Sequence, residues 1–519
     1  LTDSKTVEYL ERMTRIGICV IRFIRLIGSS DNKRIRTYMN NLNFTLTPIV
    51  TQLIIAAGAL IVLLADLLLG KKTKTLTQGL TLATLIIAGI FCVSTWGAGG
   101  TGFFGQVSAD GFASFFNLAF LVVAFLVVIA SPGYLQRGGI HYGEYYVLLL
   151  LAVLGMSFMA AGTDLLIIFL GLETMSISLY VLVGFHRERP RSNEASLKYL
   201  LLGAFFTSFL LYGIALVYGQ VGSTNLGEIA AYLKGTANPL GGYMGIGLAL
   251  LLIGLAFKMA VVPFHFWSPD VYDGAPTPVT AFMSAAPKAA AFAAALRIFY
   301  EPALALGTTW EHVLWTLAVL TMTIGNFAAL AQTSVKRMLA YSSITHAGYL
   351  LVGLLAANEL GASGMLYYLF TYGFMNVGAF TIAYLVNRRG QGNYQLSDFA
   401  QLGAKNPVMA LLMSIFMLSL TGIPPLAGFF GKFYVFSAGV QAGYIWLVII
   451  AVLNSVVSVY YYLRVLVIMY MREGEGLQDL EKAPSVVITA GVCGLAILLF
   501  GLFPGVLLEL ARQSVASLP

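Results

Sequence analysis

Apolar runs of about 20 residues, the length that crosses a bilayer as a helix, recur along almost the whole chain. They fall near 47–69, 77–96, 115–132, 145–161, 164–185, 196–219, 242–265, 278–300, 312–332, 338–356, 362–386, 407–438, 441–470 and 485–508. Inside lipid each backbone polar group must be satisfied within the protein, and helices do this segment by segment. The pattern therefore predicts an all-α polytopic membrane protein with about 14 transmembrane helices. Charged residues are only 10% of the chain, against about 25% in soluble domains. The 519 residues are thus to be counted in crossings rather than in soluble domains. Cys19, Cys92 and Cys493 lie far apart, and no Gly-rich nucleotide loop is present. Neither a metal site nor a cofactor site is expected on this chain.

Loop charges give an orientation. With the 70–76 loop placed in the cytoplasm, cytoplasmic loops hold Lys71, Lys72, Lys74, Arg137, Arg187, Arg189, Arg191, Lys336, Arg337, Arg388, Arg389, Lys405, Arg472 and Lys482. The opposite side holds Lys234 and Arg512. Fourteen cations against two is a strong positive-inside bias. Residues 1–38, a basic extension with eight Lys/Arg and four acids, would lie on the wrong side. One reading starts translation at Met39; the other makes GICVIRFIRLIG a basic amphipathic helix on the membrane surface. Without 1–38 the net charge falls from +7 to +3, so basicity gives no reason to expect nucleic acid as a partner. The membrane domain is then 39–510, followed by a short tail, 511–519.

Four charged residues sit inside these runs: Glu173, Lys258, Lys288 and Lys432. A charge at bilayer depth costs about 2.5–3.5 kcal/mol on the lenient insertion scale, so all four must face protein or water. One acid with three amines is the inventory of a proton relay. Two crossings are expected to be discontinuous. Pro263 follows Lys258 by five residues, and Thr421-Gly422-Ile423-Pro424-Pro425 precedes Lys432. Proline removes a helix hydrogen bond and clashes with the preceding turn. Paired broken helices in two halves of a membrane protein point to inverted repeats and a transport site. The halves are expected near 145–300 and 312–470, five spans each.

Other ionisable residues extend the set. His265 follows the first break, either passing protons between Lys258 and Lys288 or bonding to backbone. Lys198 is early in its span, either snorkelling to the surface or tuning Glu173. His346 is a further relay candidate. Lys336 and Arg337 read as topology charges, and Asp270 and Asp273 as turn formers beside Gly and Pro.

The segments GLETMSISLYVL, EASLKYLLLGAF, FKMAVVPFHFWSPDVYDGAPTPVTAF, LAQTSVKRMLAYSSITHAGYLLVG and LSLTGIPPLAGFFGKFYVF resemble the antiporter-like proton-pumping subunits of respiratory complex I. The resemblance covers about 39–510 and is strongest to the subunit N type of bacterial NADH–quinone oxidoreductase. GKF at Lys432 favours that type, since the subunit M pattern carries a glutamate there. Subunit L would add a long lateral helix, where only about a dozen residues follow here. Pro287 beside Lys288 is a small departure that could kink its helix and leaves the assignment of Lys288 intact. The resemblance implies fourteen helices with two inverted five-helix repeats. It matches Glu173 to the acid of the fifth helix, Lys258 to the broken seventh, Lys288 to the eighth and Lys432 to the broken twelfth. His265 and Lys198 match accessory positions. It further implies a bacterial inner membrane, partner subunits carrying FMN and iron–sulfur clusters, and a link through them to the quinone pool. The alternative is a subunit of a multi-subunit cation/proton antiporter, which shares the fold.

Overall fold

The computed structural model describes residues 46–69, 74–300, 303–386, 394–473 and 484–518. The stretch 1–38, Met39, and the loop cations Lys71, Lys72, Arg388, Arg389 and Lys482 lie outside the described residues. The chain opens with helices α1 (Val50–Leu69), α2 (Lys74–Ser94), α3 (Gly111–Ala130) and the short α4 (Pro132–Arg137). A small antiparallel pair, β1 (Thr101–Gly102) with β2 (Val107–Ser108), lies between α2 and α3, Thr101 facing Ser108. Next come α5 (Glu144–Ala161), α6 (Leu165–Val183), α7 (Pro190–Val221), α8 (Leu226–Gly235), α9 (Met244–Met259), α10 (Trp267–Gly274) and α11 (Thr277–Phe299). The second half holds α12 (Ala303–Leu330), α13 (Val335–Ala356), α14 (Glu359–Val386), α15 (Leu402–Lys405), α16 (Pro407–Thr421), α17 (Ala427–Gln441) and α18 (Ile445–Met471). Helices α19 (Pro484–Leu502) and α20 (Pro504–Val515) close the chain.

Twelve of the described helices are long and apolar enough to cross a bilayer. The two other expected crossings are built from shorter pieces. In 242–265, α9 stops and α10 follows; in 407–438, α16 stops and α17 follows. The expected number of fourteen therefore rests on counting each broken pair as one crossing.

Both breaks have local causes. Helix α9 ends where Ala260 takes a left-handed conformation (φ 59°), and Pro263 cannot continue the ladder. The Phe257 carbonyl, which accepts the Ala260 N–H at 3.1 Å, also takes the Trp267 indole N–H at 2.9 Å. Helix α16 ends on left-handed Gly422 (φ 91°) just before Pro424 and Pro425, as helix ends commonly do. Pro287 behaves otherwise: α11 runs unbroken through it. Its missing N–H frees the Met283 carbonyl one turn back, and Tyr272 Oη donates to that carbonyl at 3.4 Å.

Helices α11, α13 and α14 form the buried centre, α11 being buried along its whole length. Small residues let backbones approach here, as membrane helix packing requires. A Cβ on Gly155 would meet the Gly171 carbonyl at 2.4 Å, so α5 and α6 need glycine at their crossing.

The inverted repeat is visible in two backbone bridges. Leu165 N–H donates to Thr224 C=O and Leu226 N–H to Thr163 C=O, both 2.9 Å, bridging Asp164 to Asn225. Val335 N–H donates to Tyr394 C=O and Leu396 N–H to Thr333 C=O, both 2.8 Å, bridging Ser334 to Gln395. Both partners of the second bridge lie 170 residues after those of the first (164 to 334, 225 to 395). Each bridge ties the start of a repeat's second helix to the end of its third. The same backbone link thus closes the second and third helices in both halves of the chain.

An ion pair unforeseen in the sequence anchors the first half. Arg297, near the end of α11, donates from Nη2 to Asp110 Oδ1 at 2.7 Å, with Nη1 2.7 Å from Oδ2. Both side chains are buried. Asp110 also caps α3 by accepting from Ala113 N–H at 2.7 Å.

Candidate functional site: a lateral chain of buried amines

Lys258, Lys288 and Lys432 are all buried. None forms an ion pair within 4.0 Å among the described residues. Each is held by neutral oxygens, and Lys258 and Lys432 by aromatic rings as well.

Lys258 is in the last turn of α9, where the helix dipole favours a cation. Its ammonium donates to Tyr180 Oη at 3.2 Å and lies over the rings of Tyr180, Tyr199 and Phe257 at 5.1–5.4 Å. Tyr199 stacks on Trp267 with centroids 4.5 Å apart. Glu173 is on α6 with Tyr180, seven residues earlier and so on the same helical face. It forms no ion pair with Lys258 within 4.0 Å among the described residues. Its Oε1 is buried with no hydrogen-bond partner among the described residues. The structure therefore holds a carboxylate close to the amine but unbonded to it.

Lys288, in the middle of α11, donates to the Ser343 carbonyl at 2.5 Å and also bonds the Ser343 hydroxyl. On the next turn of α13, His346 bridges two phenols: Nδ1 bonds Tyr368 Oη, and Nε2 lies 2.9 Å from Tyr462 Oη. Tyr462 in turn bonds Ser342, the neighbour of Ser343.

Lys432 completes the row. It donates to the Thr421 carbonyl at 2.8 Å and to Ser455 Oγ at 2.9 Å, and it lies 5.1 Å from the Tyr349 ring centroid. Thr421 is the C-terminal residue of α16, so an orphan carbonyl at a negative helix end meets the amine. This site opens onto a cleft of about 660 Å³ walled by Phe429, Phe433, Phe436, Val452 and Val456.

Other expectations are placed differently. Lys198 does not touch Glu173: it pairs with Glu194 at 2.7 Å and Asp270 at 3.0 Å, with 42% of its side chain exposed. Its site is near the membrane surface, where long cations keep their heads in water. His265 bonds neither Lys258 nor Lys288 among the described residues, and its Nδ1 is buried without a partner. Asp270 is more than a turn former, since it also accepts from Arg337 at 2.8 Å. Lys336 is not an exposed topology charge: it is 1% exposed and donates to the Asp273 and Ala275 carbonyls at 3.2 and 2.8 Å. Among the described residues no cluster of His, Cys, Asp and Glu could hold a metal.

Buried amines in series, two broken helices and inverted repeats define the class of ion-translocating membrane proteins built on antiporter-like folds. The family "NADH:quinone oxidoreductase/Mrp antiporter, TM" matches residues 162–458. NADH-quinone oxidoreductase subunit N of Trichlorobacter lovleyi is 49% identical over 471 residues, covering 91% of this chain and 97% of that protein. A chain of respiratory complex I from Thermus thermophilus is 36% identical with a TM-score of 0.77, covering 89% of this chain and 99% of that one. The Mrp complex from Dietzia sp. DQ12-45-1b matches in fold alone, at 21% identity and a TM-score of 0.78, covering 92% of this chain and 98% of that one. The chain belongs to the NADH–quinone oxidoreductase subunit N family, the antiporter-like membrane subunits of complex I.

Proposed function

We propose that this chain carries protons across the bacterial inner membrane as a subunit of NADH–quinone oxidoreductase. Its relay runs from Glu173 through Lys258, Lys288 and His346 to Lys432. The observation that carries this reading is the common construction of the three lysine sites. Each amine is buried and held by neutral oxygens, so each can be charged or neutral without leaving a carboxylate stranded. Burial penalises the charged form of an amine, and a nearby carboxylate restores it. Beyond Lys288 and its partner Ser343, the bonded row Ser342, Tyr462, His346 and Tyr368 supplies groups that both donate and accept. The chain holds no redox group of its own in this reading. Flavin and iron–sulfur clusters belong to partner subunits, and the chain meets lipid directly and the quinone pool through the assembly.

Lys258→Ala and Lys432→Ala test the relay. In the assembled complex, reconstituted in vesicles, each should support electron transfer with fewer protons moved per electron pair. Assembly is checked on a native gel. Wild-type proton uptake by an assembled variant removes that lysine from the relay.

A further inference from the structure

The eight-residue helix α10 lies between the two halves of the relay and is gripped at both ends. At its start, Trp267 hooks the Phe257 carbonyl at the end of the Lys258 helix, at 2.9 Å. At its other end, consecutive residues of α13 hold it. Lys336 takes the Asp273 and Ala275 carbonyls at 3.2 and 2.8 Å. Arg337 takes Asp270 at 2.8 Å, and Ser334 lies 3.3 Å from Asp273 Oδ1. A buried cation on carbonyls at a helix C-terminus is well placed both by hydrogen bonding and by the dipole. Lys198 takes the second oxygen of Asp270 at 3.0 Å, adding α7 to the joint.

Helix α13 then continues to every later group of the relay. Ser343, two turns beyond Arg337, holds Lys288. His346 follows within one further turn, and Tyr349 places its ring against Lys432. A single continuous helix thus joins the grip on α10 to the acceptors of the second and third amines. Packed helices and bonded networks with two discrete arrangements are the physical carriers of coupling between sites.

We propose that α10 is a strut between the first amine and the later ones, with Arg337 and Asp270 as positioning residues where α13 meets it. A shift of the Lys258 helix end is passed through α10 to α13, and so to the Ser343 contact that holds Lys288. The strut rests on the relay reading above but does not follow from it, because amines in a row can exchange protons without a mechanical link.

The test compares Arg337→Gln, Arg337→Lys and Lys258→Ala in the purified complex in vesicles, reading protons moved per NADH oxidised. That ratio is normalised to electron flux, so a smaller amount of intact complex does not change it. Arg337→Gln should lower the ratio as far as Lys258→Ala does, Arg337→Lys should restore most of it, and the double variant should lose no more than either single one. Should Arg337→Gln not assemble, Asp270→Asn, which keeps the shape of the joint, is read the same way. A wild-type ratio in Arg337→Gln or Asp270→Asn, with Lys258→Ala still impaired, overturns the strut and leaves the relay standing. A wild-type ratio in Lys258→Ala overturns the relay itself.

Discussion

Glu173 and Ser343 occupy equivalent positions in the two inverted repeats. Each stands nine residues after the bridged residue that opens its repeat's second helix: Asp164 before Glu173, Ser334 before Ser343. In the first repeat this place holds a carboxylate on the helix face that presents Tyr180 to Lys258. In the second it holds a hydroxyl and carbonyl that take Lys288. The same backbone position thus addresses an amine in both halves, once by charge and once by hydrogen bonds. The charged version can attract its amine from a distance, and the neutral version holds its amine only in contact.

Ser343→Ala should therefore weaken the hold on protonated Lys288 without removing it, because the carbonyl remains. Hydrogen bonds to charged groups contribute about 1.5–3 kcal/mol, so proton transfer through this subunit should fall about tenfold or more. The measurement is the rate of proton uptake in vesicles at matched electron flux. Ser343→Thr, which keeps the hydroxyl, should pump near the wild-type rate; equal pumping by the Ala variant would show the hydroxyl to be idle.

Gly422→Ala probes the Lys432 site through the backbone. Gly422 has φ 91° and faces Lys432, whose Cδ would lie 3.1 Å from an added Cβ. Left-handed backbone costs a non-glycine residue about 1–2 kcal/mol, and the methyl crowds the lysine. The expected result is an assembled complex with a lower thermal midpoint and impaired pumping. An unchanged midpoint together with normal pumping would contradict the tight fit described for this break.

Much of this architecture was legible in the sequence because its causes are local. Span lengths follow from apolar runs, both breaks from Pro263 and from Gly422 with Pro424, and the buried amines from charges inside those runs. The partners of those amines were not legible. Lys258 meets Tyr180 from 78 residues away and Lys288 meets Ser343 from 55, and nothing about an isolated tyrosine or serine marks it as a lysine acceptor. Lys336 was misread for a related reason: a lysine at the start of a span carries the same signature whether it faces water or two carbonyls of a distant short helix. The pairing of Lys198 with Asp270 was not legible either, since Asp270 comes from a short helix 72 residues further along the chain. Pro287 is the converse case. Its disruptive potential was evident, but the packing that keeps α11 continuous around it was not.

Asp110→Ala should be the most destabilising of these substitutions. It removes the cap of α3, worth about 1 kcal/mol, and strands Arg297, now buried without its acid. Breaking a buried pair by deleting one partner costs about 3–5 kcal/mol. Arg297 keeps its Nε bond to the Ala160 carbonyl at 2.9 Å and its place 4.8 Å from the Phe112 ring centroid, which leaves the loss partial. The yield of intact complex on a native gel and its thermal midpoint should both fall well below those of Gly422→Ala. Parity between the two variants would mean that the pair contributes little.

Glu173→Gln decides whether the acid switches Lys258 or only anchors it. A permanent anchor would form a bonded pair, and deleting its charge would leave a bare buried ammonium at the cost of a broken buried pair. The geometry is different: Lys258 bonds Tyr180 Oη at 3.2 Å, while Glu173 Oε1 has no hydrogen-bond partner among the described residues. An acid held near an amine but not on it has two arrangements open to it, and the choice between them changes how strongly the ammonium is favoured. Gln keeps the side-chain shape and removes the charge. Assembly should survive, because Lys258 keeps its phenol and its place at the α9 C-terminus, whereas proton uptake should fail. Glu173→Asp keeps the charge on a shorter arm and should retain part of the activity. Wild-type pumping in an assembled Glu173→Gln complex would remove the acid from the relay, and failure of that variant to assemble would make it an anchor.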